Sequence, residues 1–216
     1  MKLSSLASSV PALLASVASL ACLVSASAFA QTASAGPAQP DLAKGQATAA
    51  VCGACHAFDG SRGSPANPII QGQHAGYIVK QLQEFKVDKR QNPIMQGIAK
   101  SLSEDDMRNV AAFYASKQPK SGFARNKELA VAGQRAYKGG IVDRQIPACT
   151  GCHGPTGSGI PAQYPKLAGQ HADYTKAQLV AFRSGARKNN PIMNAIAAKL
   201  NDREIEALAD YLAGLR

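Results

Sequence analysis

The chain has 216 residues, with 24 Lys and Arg against 14 Asp and Glu, a formal net charge of +10. That length suits one large or two small domains. The basic balance admits nucleic acid, an anionic membrane face or an acidic protein as partner. No basic run is interleaved with aromatics, so nucleic acid is not expected.

Residues 1–30 read as a cleaved signal peptide: Lys2 supplies a positive start, Leu13 to Val24 is apolar, and Ala28-Phe29-Ala30 is a small-residue cleavage site before Gln31. Ser and Ala dilute the apolar run below a spanning helix. Ser19-Leu20-Ala21-Cys22 lacks the Leu of a usual lipidation box, so Cys22 leaves with the signal. The remaining 186 residues carry 23 basic and 14 acidic side chains, or +9. No later stretch is apolar enough to span a bilayer.

Residues 31–40 are small, polar and contain proline, a flexible start. Asp41 is a helix N-cap for a first helix that runs toward Cys52. There the chain reads Cys52-Gly53-Ala54-Cys55-His56. This C-x-x-C-H pattern is the attachment signature of a c-type haem. Two thiols at that spacing can each form a thioether to one porphyrin, and the next histidine then lies under the iron.

Residues 57–74 lack helical period and are rich in Gly, Pro, Ser and Asn, a loop around the haem edge. A carbonyl beside Pro65 or Pro68 would take the proton on the other nitrogen of His56, and the pattern does not choose between them. Residues 75–87 return to helical spacing with Ile78, Leu82 and Phe85. Asn92-Pro93-Ile94-Met95 interrupts it, because proline biases Asn92 toward extended backbone. An extended loop there would offer the Met95 sulfur to the face opposite His56. Ser103 to Asp106 is a capping box at the head of a helix through Met107, Val110, Ala111 and Tyr114.

Residues 119–126 read as a linker between an N-terminal domain, 31–118, and a C-terminal domain, 127–216. A helix over 128–138 ends at Gly139-Gly140, and residues 141–147 are an insertion. The motif then recurs as Cys149-Thr150-Gly151-Cys152-His153, and 161–167 is a second haem-edge loop containing Pro161 and Pro165. Residues 71–86 align with 168–183 at an offset of 97, with eight of sixteen positions identical. Asn92-Pro93-Ile94-Met95 matches Asn190-Pro191-Ile192-Met193 at an offset of 98. The chain is two copies of one small helical haem domain, each with a covalently bound haem c that enlarges its core.

All four cysteines after Cys22 lie in the two motifs, which argues against a structural disulfide. The 93 residues between Cys55 and Cys149 argue against a zinc ribbon. Met107 aligns with Ile205 and reads as core. Met95 and Met193 align with each other, 39 and 40 residues after His56 and His153. The repeat therefore favours them as sixth ligands over His74 and His171, which read as helix-start or propionate-side residues. Gln73, Gln170, Tyr77 and Tyr174 are candidates for hydrogen bonds to propionates or at the domain interface. Iron saturated by His and Met has no open position, which suits electron transfer and not catalysis.

The chain resembles the dihaem cytochrome c4 family over its mature length. The resemblance is carried by the two motifs with Met95 and Met193, by Gly72-Gln73, Pro165-Lys166-Leu167 and Gly169-Gln170-His171, and by Ile205 to Leu208. Pro68-Ile69-Ile70-Gln71 departs from that pattern. The resemblance implies an all-α fold of two tandem class I cytochrome c domains related by pseudo-twofold symmetry, propionates toward the interface. It also implies a periplasmic location, often at the membrane surface, and electron delivery to a terminal oxidase. The expected partners are redox proteins, including membrane respiratory complexes, and the expected state is a monomer. The alternatives are a cytochrome subunit of a flavocytochrome-type periplasmic dehydrogenase and, less well supported, a dihaem peroxidase.

Overall fold

The computed structural model describes residues 39–216; the expected signal peptide and the start of the mature chain lie outside the described residues. Asp41 caps the first helix through its side chain, which accepts from the backbone N–H of Ala43 and Lys44. Helix α1 spans Leu42–Cys52 and so ends at the first thiol. The loop from 57 to 74 leads into α2 (Ala75–Lys86), then α3 (Pro93–Ser101) and α4 (Glu104–Ala115). The second half repeats the order: α5 (Lys127–Gly139), α6 (Thr150–His153), α7 (Ala172–Ser184), α8 (Pro191–Ala197) and α9 (Asp202–Gly214). The insertion holds a 3-10 turn, Val142–Arg144, closed by an antiparallel bridge between Ile141 and Ile146. No named strand occurs among the described residues.

The Asn-Pro-Ile-Met stretches correct one expectation. Asn92 is extended, at φ −167° and ψ 112°, but the three residues after it are helical. Proline at the first helical position loses nothing, because that N–H has no partner within the helix. The Asn92 side chain caps the turn by accepting from the Met95 N–H, and Asn190 does the same for Met193. Each methionine therefore sits in the first turn of a short helix, not in an extended loop. The expected capping box forms between Ser103 and Asp106, and the structure adds a second between Asn201 and Glu204.

In each half the first and last helices cross where glycine allows backbone contact. A Cβ on Gly45 would lie 2.7 Å from the Asn109 carbonyl carbon, and one on Gly133 would lie 2.6 Å from that of Ala207. The first core gathers Ile78, Leu82, Met107, Val110, Phe113 and Tyr114, and the second Tyr137, Ile205, Leu208 and Leu212. Met107 is fully buried there, as a core residue should be. Gly72 and Gly169 take left-handed backbone, φ 67° and 72°, and each donates its N–H to the last helix of its own half.

Candidate functional site

The two C-x-x-C-H motifs open on one continuous cavity of about 660 Å³. Its wall includes Cys52, Cys55, His56 and Met95 from the first half, and Cys149, Cys152, His153 and Met193 from the second. Apolar side chains such as Ile78, Leu102, Leu179 and Leu200 line much of the rest. No group of three or more His, Cys, Asp or Glu suited to a bare metal ion occurs among the described residues. Burial pushes the Cys149 thiol up to about 11 and raises Cys52. Neither is poised as a thiolate ligand.

Each histidine is buried, at 9% exposure for His56 and 6% for His153. Burial lowers the pKa of both rings, against the raising effect of a backbone hydrogen bond, and Arg90 lowers His56 further. The neutral ring is the form that binds iron. The hydrogen bond fixes which nitrogen is free. His56 Nδ1 donates to the Pro68 carbonyl at 2.9 Å, and His153 Nδ1 donates to that of Pro165 at 3.0 Å. This leaves Nε2 of each ring for metal. Pro68, not Pro65, does this work in the first half.

A tyrosine steadies each motif. Tyr114 of α4 donates to the His56 carbonyl at 2.7 Å, whereas in the second half Tyr137 of α5 donates to the Gly154 carbonyl at 2.6 Å. Alignment missed this because the two tyrosines occupy different helices.

His74 and His171 stand at helix N-caps, but their side chains do not cap. Each Nε2 reaches the other half, to the carbonyls of Ser158 and Arg62, both at 2.7 Å. Gln73 and Gln170 likewise bond the opposite backbone, at Lys166 and Ile69. These reciprocal pairs express the pseudo-twofold relation between the halves.

Arg90 and Arg187 are also 97 apart, and that offset is the one sign in the sequence that they belong to the repeat. Arg90 donates to Gln81, Tyr174 and Gln178; Arg187 donates to Asn189, Gln178, Tyr77 and Gln81. Glu84 joins this network through Asn189 at 2.7 Å. Burial raises its carboxyl, but Lys80, Asn189 and Lys89 outweigh that and hold it below the ordinary value. Both guanidiniums line the cavity where the halves meet, so the site offers apolar walls, paired thiols, an oriented histidine and cations for carboxylates. Those are the requirements of two haem c groups.

A fold of two helical halves, each closing a C-x-x-C-H motif over such a cavity, defines a dihaem c-type cytochrome. The family model for cytochrome c matches residues 42–117 and 130–216. Cytochrome c4 of Azotobacter vinelandii is 43% identical over 188 residues, covering 81% of this chain and 89% of the relative. The thiosulfate dehydrogenase electron acceptor of Stutzerimonas stutzeri strain A1501 is 42% identical over 173 residues, covering 77% and 80%. The crystal structure of reduced recombinant cytochrome c4 from Pseudomonas stutzeri superposes with a TM-score of 0.78 at 42% identity, over 82% of this chain and 100% of that one. The chain belongs to the cytochrome c4 family, carries covalently bound haem c in each half, and is an electron-transfer protein with redox partners.

Proposed function

We propose that the protein is a periplasmic carrier moving electrons from a quinol-oxidising complex to a terminal oxidase. In this reading Cys52 and Cys55 attach the first haem, and Cys149 and Cys152 the second. His56 with Met95, and His153 with Met193, would hold the two irons. The observation that carries it is the duplicated His and Met pair in the wall of one cavity. Haem supplies a one-electron iron couple. The chain's own residues orient the two histidine rings through the Pro68 and Pro165 carbonyls and surround the cavity with apolar walls, and Met95 and Met193 would supply each iron with its second protein ligand. An iron held by both a histidine and a methionine would leave no place for substrate, which suits a carrier and not an enzyme. The export reading rests on residues 1–30, and the +9 mature surface suits an acidic partner or a peripheral place at an anionic membrane. No helix among the described residues is long and apolar enough to cross a membrane.

The test is purification of the holoprotein followed by redox titration. A stable monomer that titrates reversibly at two haems, with no peroxide turnover when half-reduced, supports the carrier. Turnover of peroxide would point to a peroxidase. A second reading, a cytochrome that serves a periplasmic dehydrogenase, is favoured by the likeness to a thiosulfate dehydrogenase electron acceptor. Co-purification with a tightly held catalytic partner would select it.

A further inference from the structure

We propose that Gln170 and Gln73 are positioning residues that set the reduction potential of the opposite half's haem, each acting through a single peptide unit. The unit between Pro68 and Ile69 is bonded at both ends. Its oxygen accepts from His56 Nδ1 at 2.9 Å. Its N–H donates to Gln170 Oε1 at 2.9 Å. The Pro165–Lys166 unit is arranged in the same way: its oxygen accepts from His153 Nδ1 at 3.0 Å and its N–H donates to Gln73 Oε1 at 2.9 Å. Each proximal histidine is thus two hydrogen bonds from a side chain of the other half.

The glutamines are held in place for this role. Gln170 Nε2 donates to the Ile69 carbonyl, and Gln73 Nε2 to that of Lys166, both at 3.0 Å, so each amide grips one residue at both its polar groups. Each Oε1 also accepts the N–H of the following histidine, His171 at 2.9 Å and His74 at 3.0 Å, which fixes the rotamer. Gln73 is 7% exposed.

The direction of the effect follows from amide resonance. A bond to the N–H draws charge onto the carbonyl oxygen, since hydrogen bonds in a chain polarise one another. The more basic oxygen pulls harder on Nδ1–H and makes the imidazole a stronger donor. A stronger donor favours ferric over ferrous iron, which lowers the potential. Removing the glutamine amide therefore raises the potential of the haem in the other half.

This rests on His56 and His153 being the proximal ligands, and the experiment separates the two claims. Holoprotein carrying Gln170→Leu, Gln73→Leu or Gln170→Glu is titrated, with each iron assigned by the paramagnetic NMR signals of its axial ligands. Gln170→Leu shifts the first haem's ferric–ferrous equilibrium toward ferrous by about threefold to tenfold, tenfold being about 59 mV for one electron. The second haem moves less. Gln73→Leu gives the mirror result. Gln170→Glu keeps an acceptor for the Ile69 N–H and gives no upward shift. Hydrogen exchange at the Ile69 amide is slow in wild type and in Gln170→Glu, and fast in Gln170→Leu. If both potentials move equally, if the haem of the substituted half moves more, or if Ile69 stays protected in Gln170→Leu, the relay is wrong while the ligand assignment stands. Absence of histidine signals at the wild-type irons overturns both.

Discussion

Gly133→Ala sets two effects of opposite sign against each other. In an isolated helix alanine is better than glycine by about 0.8–1.0 kcal/mol. Position 133 lies where α5 crosses α9, and there the added methyl would overlap the Ala207 carbonyl, 2.6 Å from its carbon and 2.7 Å from Tyr211 Cβ. Carbon atoms prefer about 3.5–4.0 Å, so the helices must part by roughly 1 Å. Overpacking costs about 1–3 kcal/mol. The obstacle here is backbone and cannot rotate away. Parting the helices also loosens Ile205, Leu208 and Leu212 from Tyr137. The upper end applies, about 3 kcal/mol, and about 2 kcal/mol remains after the propensity gain. At about 4–8 °C per kcal/mol for a domain of this size, the C-terminal half should melt about 8–16 °C lower. Thermal denaturation of the holoprotein reads the loss, and amide exchange in α5 and α9 locates it. Gly139→Ala is the control, because a Cβ there meets nothing within 4 Å. Wild-type stability in Gly133→Ala, or an equal loss in Gly139→Ala, refutes the close-crossing argument.

Tyr137→Phe removes the donor to the Gly154 carbonyl, and about 1 kcal/mol of stability in denaturant melts. Met107→Ala empties a fully buried site and costs about 2–5 kcal/mol, yet leaves the axial-ligand spectra of both haems unchanged. His171 should make the stability of the interface depend on pH. Burial is the main cause of its depressed pKa, with Arg62 and Arg125 adding to it, against the raising effects of the Arg62 carbonyl and Asp173. The unfolded chain therefore takes up this proton at higher pH than the folded one. Stability is greatest above the ordinary histidine value and falls as pH drops through about 6.5 toward the lower folded value. Thermal midpoints between about pH 8 and about pH 5 should fall less in His171→Gln than in wild type.

Local chemistry made much of this molecule legible in the sequence. The C-x-x-C-H spacing, the Asp41 cap and the first capping box each depend on neighbours a few residues away, and the repeat shows as identities between the two halves at offsets of 97 and 98. The Asn-Pro-Ile-Met stretch reads as an extended loop if proline only breaks helices, but after an Asn cap proline starts one. The choice between Pro65 and Pro68 needed the path of the loop, which no periodicity encodes. Gln73 and Gln170 stood out by repetition, but their partners lie 93 and 101 residues away, and only the packing of the halves reveals them. The network of Arg90 and Arg187 was hidden for the same reason: charged side chains read as solvated until a second domain covers them.

The most direct test of the central claim is near-infrared magnetic circular dichroism of the ferric holoprotein, calibrated against its haem content. Two low-spin irons per chain, both with a methionine-to-iron charge-transfer band, is the result expected. A high-spin iron, or a bis-histidine band at either site, would contradict it and restore the possibility of an open, catalytic haem.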